Sequence, residues 1–165
     1  MKKIKRIFFY FSVLELKDFF FLLKLKLLKV KSCKHYIYKN LLMNSVGLEI
    51  GGPSDIFKPN GFLPIYNDID TLDGVNFSNQ TLWEDNLNAG KNYKYSKFKD
   101  SGIQYICDAT DLSIIKSNTY NFVLSCNNLE HIANPIKALN EWLRVLKYRG
   151  IIILILPNNL LNFDH

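Results

Sequence analysis

Cysteine and histidine are scarce in this sequence, and their spacing excludes several kinds of site. The chain of 165 residues has three cysteines, Cys33, Cys107 and Cys126, and no C-x-x-C pair. An odd number of widely spaced cysteines supports neither a disulfide framework nor a zinc site. The three histidines are scattered as well, so we expect no metal centre. Reduced thiols of this kind favour the cytoplasm.

Long uncharged apolar runs are also missing. A secretory signal needs such a run before a small-residue cleavage site, and a membrane-spanning helix needs about 20 largely uncharged residues. After the opening MKKIKR, the run IFFYFSVL is interrupted by Glu15, Lys17 and Asp18. The sequence therefore predicts neither a signal peptide nor a transmembrane segment, and we expect a cytoplasmic protein.

The net charge of +6 is concentrated at the amino-terminal end. Residues 1–45 hold eleven Lys or Arg against two acids, whereas residues 46–165 have a net charge of −3. Residues 4–43 contain no glycine or proline and are rich in Leu, Phe and Lys. This pattern predicts a basic amphipathic helical extension over residues 1–45. Such an arm either packs on the domain or makes weak contact with an anionic membrane surface, and nothing in it specifies a nucleic acid.

From residue 46 the pattern changes to short apolar runs separated by turns. Five runs predict strands, at residues 46–50, 62–66, 103–107, 120–126 and 151–156. Because their apolar residues are continuous rather than alternating, we expect a parallel sheet that is covered on both faces. Residues 134–147 have a proline at the second position and apolar residues at helical spacing, which predicts a crossover helix between the last two strands. The sequence thus predicts an α/β fold.

The stretch SVGLEIGGPSDIF, residues 45–57, places a glycine turn directly after the first predicted strand. Ligands of an open parallel sheet bind beyond the carboxyl ends of its strands, which is where Gly51 and Gly52 lie. A dinucleotide fingerprint would need G-x-G-x-x-G, and Pro53 supplies no N–H to a pyrophosphate. A nicotinamide cofactor is therefore disfavoured. Glu49 followed by the two glycines instead resembles the first motif of the class I S-adenosylmethionine-dependent methyltransferases.

A longer resemblance to the same family covers residues 107–157. It comprises an aspartate after the third predicted strand, an apolar fourth strand, an L-E-H segment, and the helix and turn that lead to the fifth strand. The segment LDGVNFSNQTLWED, residues 72–85, also resembles a subgroup of these proteins. The resemblance implies a methyltransferase-like domain over residues 46–165. Its fold would be an open, mostly parallel Rossmann-like sheet of five strands in the order 3-2-1-4-5, with flanking helices.

The resemblance also implies a cofactor, S-adenosylmethionine, and residues that bind it. Glu49, Gly51 and Gly52 would lie at its methionine end. Asp108, with Ala109 beside it, would meet the adenine, because a carboxylate accepts a hydrogen bond from the exocyclic amine.

Other members of the implied site depend on position alone. The ribose hydroxyls need a carboxylate about 20 residues past the glycine turn, as in dinucleotide sites. Asp68, Asp70 and Asp73 lie near that distance, and Asp73 is preferred, with Asp70 next. Asn127 belongs to the same cofactor set. His131 is the candidate general base, and its alternative role is to shape the acceptor pocket.

The function implied is transfer of a methyl group to an oxygen or nitrogen of a small molecule or a sugar-containing metabolite. Two departures from the family weigh against turnover. Residues 147–150, KYRG, replace the usual Pro-Gly-Gly type of turn, and the sequence stops shortly after the fifth predicted strand, where the family continues with a helix and two strands. The alternative is a truncated, non-catalytic remnant that binds the cofactor or a partner.

Overall fold

A computed structural model describes residue 32, residues 35–79 and residues 87–157. Most of the predicted amino-terminal extension lies outside the described residues. In the described part the elements are α1 (His35–Leu42), β1 (Val46–Ile50), β2 (Thr71–Asn76), β3 (Gly90–Tyr93), β4 (Gly102–Ile106), β5 (Tyr120–Cys126), α2 (Pro135–Val145) and β6 (Leu146–Ile155). Short 3-10 turns lie at Asp55–Phe57 and Leu129–His131. No helix among these residues is both long enough and apolar enough to cross a membrane.

The strands form one open sheet in the order β3-β4-β2-β1-β5-β6. Every neighbouring pair is parallel except β3 and β4, so β3 is an antiparallel edge strand. The predicted fold class is confirmed, but the sheet has six strands instead of the five predicted, because β3 adds an antiparallel edge. The five parallel strands follow one another in the predicted order. After β1 the chain builds the sheet outward through β2 and β4, then returns to the other side of β1 with β5. The strand order therefore reverses at β1, which is where open α/β sheets bind ligands.

The second strand was predicted in the wrong place. Residues 62–66 form no strand, and β2 consists of residues 71–76 instead. The apolar run is nevertheless buried, because Leu63, Ile65 and Tyr66 pack into the core as part of an irregular segment. Apolar continuity indicated burial correctly at this position, but burial does not require a strand.

Two apolar layers cover the sheet. One layer joins side chains of the strands to α1 and the irregular segment before β2, and it includes Leu42, Phe57, Ile65, Tyr66, Leu72, Tyr93, Phe122 and Leu124. The other layer joins the strands to α2 and the segment before β5, and it includes Leu48, Ile50, Val75, Leu112, Tyr120, Val123, Ala138 and Trp142. Burial on both faces explains why the central strands are continuously apolar.

Helix α2 begins as the sequence predicts. The Asn134 side chain caps it by accepting a hydrogen bond of 3.0 Å from the Lys137 N–H, and Pro135 occupies the first turn. Its buried residues are Ala138, Trp142 and Val145. Ile136 and Leu143, part of the apolar spacing that predicted the helix, are exposed instead.

Candidate functional site

The glycine turn after β1 is held between β2 and the segment after β5. Gly51 has a φ of +76°, which favours glycine, and its N–H donates to the Val75 carbonyl at 2.8 Å. A Cβ on Gly51 would lie 2.3 Å from Nδ2 of Asn128, so the turn passes directly against that side chain. Only glycine allows both the backbone conformation and this close approach.

Glu49, the last acid before the turn, has a fully buried side chain with donors on both oxygens. Its Oε1 accepts hydrogen bonds from the Ser54 N–H at 3.1 Å and from the Ser54 hydroxyl at 2.7 Å. Its Oε2 accepts from the hydroxyls of Tyr66 and Tyr93, each at 2.7 Å. Burial raises the pKa of the carboxyl above its ordinary value, although these hydrogen bonds oppose the shift. Glu49 therefore holds the chain on either side of the turn.

Asn76 connects the turn to the end of β4. It is the last residue of β2 and is 7% exposed. Its Nδ2 donates to the Gly52 carbonyl at 3.2 Å, and its own carbonyl accepts from the Cys107 N–H at 3.0 Å. This residue was not predicted from the sequence, because the second strand was expected at residues 62–66. With the strand placed correctly, a polar residue at its carboxyl end is the signal that identifies it.

Asp108 and Ala109 lie just beyond β4, as predicted. Asp108 is exposed, and its Oδ1 accepts from the Thr110 N–H at 2.8 Å in a local turn. The Ala109 carbonyl accepts from Nε1 of Trp142 on α2 at 3.1 Å. The candidate adenine segment is thus fixed to the buried face of a helix.

A second contact with α2 lies further along this segment. The Leu112 N–H donates to Oε2 of Glu141 at 2.8 Å, and the Leu112 carbonyl accepts from the Arg144 guanidinium at 2.7 Å. Arg144 also donates to Oε1 of Glu141 at 2.8 Å, and this hydrogen bond is the main reason why the pKa of Glu141 is lowered.

The candidate ribose carboxylates lie elsewhere. Asp73 lies in the middle of β2, where its oxygens accept from the Ile103 N–H and the Tyr120 hydroxyl, each at 2.7 Å. Both donors belong to the amino-terminal ends of their strands. Asp70 precedes β2 and donates its N–H to the Ser45 carbonyl before β1, while Asp68 forms an ion pair of 3.3 Å with Lys39 of α1. The structure does not bring these three carboxylates to the glycine turn.

The segment after β5 carries the remaining candidates. Asn127 is exposed with a φ of +47°, and its N–H donates to the Ile155 carbonyl at 2.9 Å. Asn128, which was not predicted, has an Oδ1 that is buried and has no hydrogen-bond partner in the described part of the chain. The His131 side chain is 62% exposed, and its Nε2 lies 3.9 Å from Oε1 of Glu130.

Comparison with known proteins agrees with the arrangement of the sheet and its turns. Residues 68–154, more than half of the chain, match the family described as "Methyltransferase domain". The chain belongs to this family. The resemblance found in the sequence is therefore confirmed.

Solved structures support the same fold. The domain is similar to a protein assigned as a methyltransferase from Bacillus halodurans, at 16% identity and a TM-score of 0.51, over 73% of this chain and 48% of the other. The YcgJ protein of Bacillus subtilis matches at 15% identity and a TM-score of 0.52, over 73% of this chain and 49% of the other. These likenesses show the Rossmann-like fold of the class I methyltransferases.

Sequence identity is higher over a short stretch of an uncharacterized protein from Methanocaldococcus jannaschii. The two chains are 49% identical over 43 residues, which is 26% of this chain and 19% of the other. The chain thus spans a fifth of the length of this relative and about half the length of the solved structures.

Proposed function

We propose that this methyltransferase domain binds S-adenosylmethionine at the carboxyl edge of its sheet. There it takes part in transfer of the methyl group to an oxygen or nitrogen of a small molecule or a sugar-containing metabolite. One observation carries the proposal: the segments that follow β1, β2, β4 and β5 meet where the strand order reverses. Gly51 lies against Asn128, and Asn76 joins Gly52 to the residue before Asp108.

The polar groups at this edge suit the two ends of S-adenosylmethionine. Oδ1 of Asn128, beside the glycine turn, accepts no hydrogen bond from any described residue, and the ammonium group of an amino acid would supply a donor to it. Asp108 offers a carboxylate to the exocyclic amine of adenine. A pyrophosphate would need backbone N–H donors instead, but the N–H of Gly51 is bonded to Val75 and Pro53 has none. The donor set therefore favours S-adenosylmethionine over a nicotinamide dinucleotide.

When bound, S-adenosylmethionine supplies a methyl group on a sulfonium centre, which is electrophilic without further activation. What the domain contributes is the position of that methyl group relative to the acceptor, and alignment of reacting groups accounts for much of the rate of such displacements. His131, exposed after β5, is proposed as the group that takes the proton from an acceptor that must lose one. The alternative is that it lines the acceptor pocket without taking part in proton transfer.

Calorimetric titration of the full chain with S-adenosylhomocysteine and with NAD tests the proposal. We expect saturable binding of S-adenosylhomocysteine and none of NAD. Tight NAD binding, or no binding of S-adenosylhomocysteine, would contradict it.

A matched pair of variants then tests the adenine contact. Asp108→Asn keeps the oxygen that accepts from Thr110 but loses the charge, whereas Asp111→Asn makes the same change in a similar turn, where Oδ1 accepts from the Ser113 N–H at 3.1 Å. We expect weaker binding only for Asp108→Asn, by about tenfold or more, because hydrogen bonds to charged groups are worth about 1.5–3 kcal/mol. Equal affinities of the two variants would remove Asp108 from the site.

A further inference from the structure

The buried carboxylate of Glu49 joins three segments that are distant in sequence. Its partners Ser54 and Tyr66 lie near the two ends of the segment between β1 and β2, within it, whereas Tyr93 ends the antiparallel edge strand β3. Tyr66 also touches the turn itself, because its hydroxyl accepts from the Ser54 N–H at 2.7 Å. Neither tyrosine belongs to the glycine motif, yet both determine how its acid is held.

Two glycines make room for the Tyr93 side chain. A Cβ on Gly74 of β2 would lie 2.3 Å from the Tyr93 ring, and a Cβ on Gly52 would lie 2.3 Å from its hydroxyl oxygen. The ring therefore packs over the backbone of β2, and its hydroxyl reaches the base of the glycine turn. Gly52 contributes to this contact by lacking a side chain, in addition to its place in the turn.

We propose that Tyr66 and Tyr93 are positioning residues of the cofactor site. Their hydroxyls hold the Glu49 carboxylate in the orientation that fixes Ser54, and through Ser54 the turn at Gly51 and Gly52. The inference rests on the proposed function, since the turn matters for binding only if the cofactor lies there.

The physical reason is the cost of an unsatisfied buried charge. A carboxylate removed from water is stable only while its oxygens accept enough hydrogen bonds. When one of the two hydroxyls is removed, Oε2 of Glu49 keeps a single donor, and the side chain gains by rotating or by taking up a proton. Either response disturbs the hydrogen bonds that Oε1 accepts from Ser54. The fraction of molecules with a binding-competent turn then falls, and the apparent affinity falls with it.

Tyr95 provides a matched control. It belongs to the same aromatic cluster, with ring centroids 6.2 Å from Tyr93 and 5.5 Å from Tyr66. Its hydroxyl, however, donates to the Asp70 carbonyl at 3.4 Å, before the amino-terminal end of β2. Removal of this hydroxyl changes the same core without changing the donors to Glu49.

The pH profile separates positioning from general stability. Within the described part of the chain, the titratable groups that face Glu49 are Tyr66 and Tyr93, together with Cys126 of β5, whose pKa is raised to about 11 by burial and then by the Glu49 charge. Burial also raises the pKa of the Tyr66 hydroxyl. Because the tyrosine hydroxyls lower the pKa of the Glu49 carboxyl, loss of either one leaves more of the carboxyl protonated at a given pH.

The experiment compares the affinity of the full chain for S-adenosylhomocysteine at pH 6, 7 and 8 in Tyr66→Phe, Tyr93→Phe and Tyr95→Phe. We expect the first two variants to bind about tenfold more weakly than wild type at pH 7, with a loss at pH 6 that is no smaller than at pH 8. Tyr95→Phe should keep the wild-type affinity at all three pH values, even if its midpoint of thermal unfolding falls. Wild-type affinity in both Tyr66→Phe and Tyr93→Phe, or an equal loss in Tyr95→Phe, would overturn the inference.

A further variant covers the case in which the phenylalanine variants do not fold. Glu49→Gln replaces one accepting oxygen by an amide nitrogen that donates, so it cannot accept from all the partners of the carboxylate, and we expect it to bind about tenfold more weakly than wild type at pH 7. Wild-type affinity in folded Glu49→Gln would reject the inference. If wild type itself binds no S-adenosylhomocysteine while remaining folded, the proposed function fails, and the inference fails with it.

Discussion

The indole Nε1 of Trp142 donates a hydrogen bond of 3.1 Å to the Ala109 carbonyl, which ties helix α2 to the segment after β4. Trp142 is fully buried, so its ring also fills the core on that face of the sheet. The same helix therefore stabilises the domain and determines where Asp108 lies.

Trp142→Phe tests this double role. The change removes both a buried donor and part of a large side chain, and we expect it to lower the free energy of unfolding by about 2–4 kcal/mol. Urea unfolding followed by circular dichroism measures the loss. Leu143→Ala on the exposed side of α2 is the control, with an expected change of about 0.5 kcal/mol or less. Similar losses in the two variants would contradict the role of Trp142.

The Glu141 and Arg144 pair predicts how stability depends on pH. The pKa of Glu141 is lower in the folded chain than its ordinary value of 4.5, chiefly because of Arg144. A lowered carboxyl pKa stabilises the fold above the unfolded pKa, and this contribution disappears as the pH falls through the folded pKa. We therefore expect Glu141→Gln to lower the free energy of unfolding by about 1–2 kcal/mol at pH 7 and by much less at pH 3.

Asp55→Asn is the control for this pH dependence. Asp55 pairs with Lys58 at 2.7 Å, but its side chain is 84% exposed. An exposed pair of this kind contributes little. The measurement is urea unfolding of both variants and wild type at pH 7 and pH 3. A destabilisation by Glu141→Gln that is the same at both pH values would show that charge is not its cause.

Gly74→Ala tests how Tyr93 reaches the glycine turn. The new methyl group would lie 2.3 Å from the Tyr93 ring, so we expect a loss of about 1–3 kcal/mol in the free energy of unfolding. Most of that loss should vanish in a Tyr93→Ala background, where the ring is gone. A double-mutant cycle by urea unfolding measures the coupling, and additive effects would show that the two residues do not conflict.

The strands could be predicted from the sequence where an uninterrupted apolar run is itself a strand. Residues 46–50 and 120–126 are such stretches, and both are strands at the centre of the sheet. β2 could not be recognised in this way, because Gly74 is required by the Tyr93 ring and Asn76 by the Gly52 carbonyl. These requirements come from tertiary contacts, and neither residue type favours a strand.

The candidate site could be predicted where a motif marks the end of a strand. Gly51 and Asp108 both lie at the expected edge of the sheet. The ribose carboxylate, chosen by distance along the chain, stays a prediction, and Asp73 accepts hydrogen bonds from Ile103 and Tyr120 in the middle of the sheet. A charged side chain within a strand satisfies the backbone and hydroxyl donors of its neighbours, and spacing alone does not distinguish that role from ligand binding.

A comparison of Asn128 with Ser125 separates a polar group that binds the cofactor from one that affects stability alone. Each has a buried side-chain oxygen without a hydrogen-bond partner in the described residues, but only Asn128 lies against Gly51. An unsatisfied buried polar group costs stability, so its replacement by an apolar group of similar shape is close to neutral or stabilising. We expect Asn128→Leu and Ser125→Ala each to leave the free energy of unfolding unchanged or to raise it by about 1 kcal/mol.

Binding should distinguish the two variants. If Oδ1 of Asn128 accepts from the ammonium of the cofactor, Asn128→Leu lowers the affinity for S-adenosylhomocysteine by about tenfold or more, because it leaves a charged donor unpaired. Ser125→Ala should bind as wild type does. Calorimetry on both folded variants measures the difference. Full affinity in Asn128→Leu would mean that the buried oxygen serves neither the cofactor nor the fold.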